Sequence, residues 1–241
     1  MSFLEVQNLS KFFDSGLGVL DDVSFNVNDN EFVSIVGQSG CGKTTLLRLL
    51  AGLEKPNKGQ ISIKNNSENP LGVVFQNYSC FPWLTVKQNI EFGLEMTKVS
   101  KDERTAIVSE LLSIVDLENF ANYYPNKLSG GMKQRVAIAS ALATSPKLLL
   151  MDEPFGSLDH QTRTKMQDFL LKVWEKKKHT VLFVTHDIEE ALYLSDRILF
   201  MDHKTKKISA DVKINFSRPR NPEIKFSKEF QELKKELLGL F

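Results

Sequence analysis

Glu31-Phe32-Val33-Ser34-Ile35-Val36-Gly37-Gln38-Ser39-Gly40-Cys41-Gly42-Lys43-Thr44 is the stretch that decides the fold. Its first half is an apolar strand that runs straight into a glycine-rich loop. Thr44 to Leu53 then reads as a helix, with Leu46, Leu47, Leu49 and Leu50 facing a core and Gly52 near its end. Gly37 to Thr44 fits the Walker A pattern, in which backbone N–H groups wrap a polyphosphate, the lysine reaches its outer oxygens and the hydroxyl holds Mg²⁺. Strand, loop and helix in that order are the context the pattern requires. The predicted phosphate-binding set is therefore Gly37, Gln38, Ser39, Gly40, Cys41, Gly42, Lys43, Thr44 and Thr45.

Working outward, Lys147 to Met151 is a solid apolar run ending in Asp152-Glu153, and Thr180 to Val184 is another ending in Thr185-His186. Strands apolar on both sides belong to a parallel sheet covered by helices, and ligands of such sheets sit beyond the carboxyl ends of the strands. Gly37, Asp152 and His186 all fall at such exits. Val23, Phe25 and Val27 alternate with Ser24, Asn26 and Asn28, the period of a half-buried antiparallel strand. Between Val86 and Ser145 the pattern is helical, with Ser129 placed to cap a helix through Ala143 before Pro146.

The second motif is Leu128-Ser129-Gly130-Gly131-Met132-Lys133-Gln134-Arg135, a helix start whose glycines let backbone N–H groups approach phosphate. Together with the Walker A loop it resembles the ATP-binding subunits of ABC (ATP-binding cassette) transporters, over about Phe3 to Asp202. The resemblance implies an α/β P-loop NTPase fold, a RecA-like parallel sheet with an N-terminal antiparallel β-subdomain and an inserted helical subdomain. It implies an ATPase, and it makes the phosphate-binding set from Gly37 to Thr45 an ATP site. The expected division is residues 1–85 and 146–202 for the nucleotide-binding core with its β-subdomain, 86–145 for the helical subdomain and 203–241 for a tail.

The same resemblance implies roles for particular residues. Thr44, Gln76 and Asp152 would hold Mg²⁺, directly or through water. Glu153 would polarise the attacking water, His186 would be the switch histidine at the γ-phosphate, and Gln76 would sense metal and water. Phe13, or its neighbour Phe12, would stack on adenine. Ser129, Gly130, Gly131 and Gln134 would complete the ATP site of a facing subunit, since one fold already has a complete cradle at Gly37 to Thr45. Asp159, in Ser157-Leu158-Asp159, resembles the loop that crosses that interface. Tyr78, Phe81 and Trp83 would form the surface that receives a transmembrane permease. Phe81-Pro82-Trp83-Leu84-Thr85-Val86, with Arg218-Pro219-Arg220, looks like the nitrate/sulfonate/taurine importer branch. The implied partners are a second copy of the chain, permease subunits and, indirectly, a substrate-binding protein; the implied place is the cytoplasmic side of the cell membrane. A soluble ABC ATPase acting as an assembly or scaffold factor without transport is the alternative.

Composition agrees with this class. At 241 residues and 41% hydrophobic content the chain can bury a sizeable core. Lysine plus arginine (31) nearly balances aspartate plus glutamate (30), so the basic excess of a nucleic-acid binder is missing. Cys41 and Cys80 suggest no disulfide framework and fit a reducing compartment. No signal peptide is expected at Met1-Ser2-Phe3-Leu4-Glu5, no apolar run approaches the ~20 residues of a membrane span, and no zinc spacing is seen. The tail from Lys225 places Phe226, Phe230, Leu233 and Leu237 on one helical face, the pattern of a helix docked on its own domain.

Overall fold

All five residues of Phe32–Val36 are buried, as a strand covered on both faces requires. The computed structural model describes residues 2–13, 18–64, 71–76 and 80–240. Along the chain these form β1 (Ser2–Phe12), β2 (Gly18–Asn28), β3 (Phe32–Val36), α1 (Lys43–Leu50), β4 (Lys58–Ile63), β5 (Leu71–Val74), α2 (Val86–Met96) and α3 (Lys101–Ile114). They continue with α4 (Gly130–Ala143), β6 (Leu148–Asp152), α5 (His160–Lys177), β7 (Thr180–Thr185), α6 (Ile188–Leu194), β8 (Arg197–Met201), β9 (Ile208–Lys213) and α7 (Lys228–Leu238). Two compact units result: Met1–Asn66, Leu150–Glu153 and Lys178–Phe241 in one, Ser67–Leu149 and Pro154–Lys177 in the other.

The first unit holds two sheets. In the antiparallel one, β1 lies between β2 and β4. Val23, Phe25 and Val27 of β2 point inward while Ser24 and Asn28 are exposed, so the alternation in the sequence is the alternation of the pleat. In the other sheet β3 pairs in parallel with β7 and β8, β9 runs antiparallel along β8, and Leu150–Asp152 of β6 lies beyond β7. The register pairs Val36 with Thr185, so the loop starting at Gly37 and the segment starting at His186 leave the sheet side by side. Helix α1 buries Leu46, Leu47, Leu49 and Leu50 as expected but stops at Leu50 rather than Leu53. Gly52 takes the left-handed conformation at φ +70° and returns its N–H to the Leu49 carbonyl at 3.0 Å, which ends the helix.

The second unit is built on helices, with β5 beside the first two residues of β6. Their starts are written in local chemistry. Thr85 and Gln88 exchange the two bonds of a capping box at α2, Ser100 accepts from Glu103 N–H at α3, and Ser129 accepts from Met132 N–H at α4. Helix α2 packs on α3 and α4, and its Val86, Ile90 and Leu94 are buried. Among the described residues no helix is long and apolar enough to cross a membrane.

Candidate active site

In the first unit five predicted side chains converge. Lys43 begins α1 behind Gly42, whose φ of +107° is open only to glycine; a Cβ there would lie 2.5 Å from the Val19 carbonyl. The Lys43 ammonium is buried over its own loop, donating to Gly37 O at 2.7 Å and Gln38 O at 3.1 Å, with Glu153 Oε1 3.8 Å away. Thr44 Oγ1 donates to Asp152 Oδ1 at 3.2 Å. Burial is the first cause that pushes the Asp152 carboxyl above its ordinary range; the Thr44 bond opposes the shift and the neighbouring Glu153 charge adds to it. Glu153 Oε2 lies 2.9 Å from His186 Nδ1.

The backbone at Glu153 is itself unusual. Its φ of +40° is uncommon for a residue with a long side chain and costs about 1–3 kcal/mol. Its N–H is tied to the Val184 carbonyl of β7 at 2.9 Å. Strain held against a neighbouring strand aims the carboxylate between Lys43 and His186, and such strain gathers at sites of chemistry. Phe13 is 43% exposed and Phe12 37%, so both rings are available on the surface; the Lys11 ammonium stands 5.6 Å from the Phe13 ring centre.

The second unit carries the remaining candidates. Gln76 is exposed just past β5. Ser129 is exposed at the start of α4, and Gly131 is buried with a Cβ position only 2.7 Å from the Thr162 methyl. Asp159 accepts from the N–H groups of Gln161 and Thr162 at 3.0 and 3.1 Å, and hydrogen bonding from the Thr162 side chain, then from its N–H, holds the carboxyl below the ordinary range. Gln134 is buried within α4, and neither side-chain amide atom finds a hydrogen-bond partner among the described residues. Trp83 is 69% exposed; its ring lies 5.5 Å from Phe81, which lies 4.7 Å from Phe92. Tyr78 falls outside the described residues.

The family pattern for ABC transporters matches residues 20–156. The chain belongs to the ABC transporter ATP-binding family. The cassette is 43% identical over 237 residues to the nitrate import ATP-binding protein of Synechocystis sp., covering 94% of this chain and 89% of that protein. It is 44% identical over 246 residues to the aliphatic sulfonates import ATP-binding protein of Bacillus thuringiensis subsp. konkukian, covering 99% and 95%. Among solved structures, the dimeric post-hydrolysis state of an ATP-binding cassette bound to ADP and Pi superposes with a TM-score of 0.77 and 35% identity, over 89% of this chain and all of that one. The cassette is an ATPase of this family.

Two parts of the cassette's site have no signal in the motifs. Lys206 Nζ, from the turn between β8 and β9, donates to the Gly40 carbonyl at 3.1 Å, tying a distant hairpin to the phosphate loop. Asn89 of α2 is buried and accepts from Phe81 N–H at 2.7 Å while its amide nitrogen donates to the carbonyls of Phe81, Leu84 and Thr85 at 3.2, 3.0 and 2.9 Å. Those four bonds staple the turn that displays Trp83.

Proposed function

We propose that this chain is the ATP-hydrolysing subunit of an ABC importer of the nitrate/sulfonate/taurine type, dimerising around two Mg-ATP to drive uptake through a separate permease. The observation that carries the reading is the convergence of Lys43, Thr44, Asp152, Glu153 and His186 at three adjacent strand exits in one unit. The donor set fits the expected groups. Gly42 holds the positive φ that starts α1 at Lys43, with its backbone packed against the Val19 carbonyl, and Thr44 and Asp152 offer the hard oxygens that Mg²⁺ prefers. A buried carboxylate with a raised pKa also calls for a cation, and Asp152 is one.

In this reading Mg²⁺ offsets charge on the phosphates. Lys43 places a point charge at the outer phosphate oxygens, the loop N–H groups hold the rest, and Thr44 and Asp152 hold the metal. Glu153 orients water as general base, and His186 contacts the γ-phosphate. Gln76, Ser129, Gly130, Gly131 and Asp159 belong to the second unit; Ser129 and the glycine N–H groups complete the site of the facing copy, with Asp159 at the interface. Phe13 or Phe12 stacks on adenine. Moving a dimer from 1:99 to 99:1 takes ~5.5 kcal/mol, about 2.7 kcal/mol per nucleotide, and charge-assisted bonds of ~1.5–3 kcal/mol supply that scale. Phe81 and Trp83, with Tyr78 in the same segment, receive the permease, which would hold the subunit at the cytoplasmic face of the membrane. The names of the nitrate and sulfonate relatives support import and a permease partner.

Calorimetry on Lys43→Ala tests the site. Loss of a charged donor worth ~1.5–3 kcal/mol should weaken ATP binding about 10- to 150-fold. Unchanged affinity would remove the phosphate-loop assignment.

A further inference from the structure

Helix α6 has only seven residues, Ile188–Leu194, and begins two residues after His186. A helix this short is not stable by itself, so whatever holds it also decides where His186 sits. The His186 side chain is 53% exposed, so burial does not fix its orientation. Its aim is set by the Glu153 contact and by the backbone between β7 and α6, where Asp187 caps the helix by accepting from the Glu189 and Glu190 N–H groups.

Both ends of α6 are held by the chain after β9. At the carboxyl end, Arg218 Nη2 donates to Leu194 O at 2.7 Å, and Arg220 Nη1 donates to Tyr193 O at 2.9 Å and Leu192 O at 3.3 Å. These are last-turn carbonyls that a helix leaves without intrahelical partners, and cations there also complement the helix dipole. In the first turn, Glu189 pairs with Lys234 of α7 and lies 3.9 Å from the Lys225 ammonium. Helix α7 packs on α6 and buries Phe230 and Leu237 completely or nearly so. Arg220 is itself buried, its side chain fully covered. Four cations from one terminal segment thus grip a helix whose own job is to carry His186.

We propose that residues 214–240 act as a clamp that sets the aim of His186 toward Glu153, with Arg220 and Lys234 as positioning residues for ATP hydrolysis. This rests on the reading of Glu153 and His186 as the hydrolytic pair. Arg218-Pro219-Arg220 then has a mechanical meaning in this chain: its two guanidinium groups cap α6. The role differs from plain stability, because a small rotation of α6 displaces His186 while leaving Lys43 and the phosphate loop on a different helix.

The test uses full-length protein and four variants: Lys234→Ala, Lys234→Arg, Arg220→Met and Glu153→Gln. Lys234 is only partly covered, so Lys234→Ala should fold and bind ATP within about twofold of the parent, yet lose turnover about tenfold, the scale of a sub-ångström misplacement. Lys234→Arg keeps the charge and should restore turnover. Arg220→Met should lose more, and the His186 ring resonances in NMR should shift in both defective variants. Unchanged turnover in Lys234→Ala and Arg220→Met, with Glu153→Gln inactive, overturns the clamp while leaving the hydrolytic pair intact. Equal loss of ATP affinity and turnover together with lowered melting also overturns it, since that is general destabilisation. An active Glu153→Gln overturns the underlying pair instead.

Discussion

Replacing Trp83 with alanine separates a docking surface from a core in one experiment. The ring is 69% exposed, and a tryptophan side chain can bury up to about 250 Å², so roughly 170 Å² is available to a partner. At about 25 cal/mol per Å² that sets a ceiling near 4 kcal/mol on what docking can gain from it. The covered remainder, roughly 80 Å², limits the stability loss to about 2 kcal/mol, against ~3–5 kcal/mol for a buried aromatic. The turn itself should persist, because the Asn89 staple bonds the backbone of Phe81, Leu84 and Thr85 and not the Trp83 ring. We therefore expect Trp83→Ala to unfold in denaturant with less than about 2 kcal/mol lost and to keep ATP binding. Its affinity for the permease in detergent should fall about thirtyfold or more, the effect of a 2 kcal/mol anchor. A larger stability loss with assembly intact refutes the reasoning.

Asp152→Asn should make the nucleotide-free protein more stable at neutral pH and remove any stabilisation by Mg-ATP. The folded carboxyl has its pKa raised, so the protein loses stability as pH climbs from the ordinary carboxylate value through the raised one; thermal melting of the variant should lack that slope. Gly131→Ala places a Cβ 2.7 Å from the Thr162 methyl and should cost about 1–3 kcal/mol in denaturant unfolding. Adding Thr162→Ser removes that methyl and should recover most of the loss, whereas additive losses in the double variant would mean the contact is not the cause.

What the sequence made legible was local. The strand, glycine loop and helix from Phe32 to Leu50 needed only neighbouring residues, as did the Ser129 cap of α4. The register of β3 with β7 then placed Gly37 beside His186, which apolar runs ending in Asp152-Glu153 and Thr185-His186 had implied. Readings failed where a boundary reset the phase. Ser227 caps α7, so the helix starts at Lys228 and Phe226, expected on its apolar face, is 85% exposed in the turn before it; Phe230 and Leu237 are buried as expected. Lys206 and Asn89 gave no signal, and Arg220 stood out as a branch marker with no hint of its contact, because each acts on backbone carbonyls, and the partner of a carbonyl is chosen by folding rather than by spelling.

The central claim is that two copies close around ATP and reopen only on hydrolysis. Glu153→Gln tests it most directly, since the amide keeps the shape of the carboxylate and removes the base. Light scattering should give a single species of 27.4 kDa without nucleotide and one of twice that mass with Mg-ATP, persisting while ATP is present. A species of 27.4 kDa alone at saturating Mg-ATP, in a variant that calorimetry shows to bind ATP, would contradict the account.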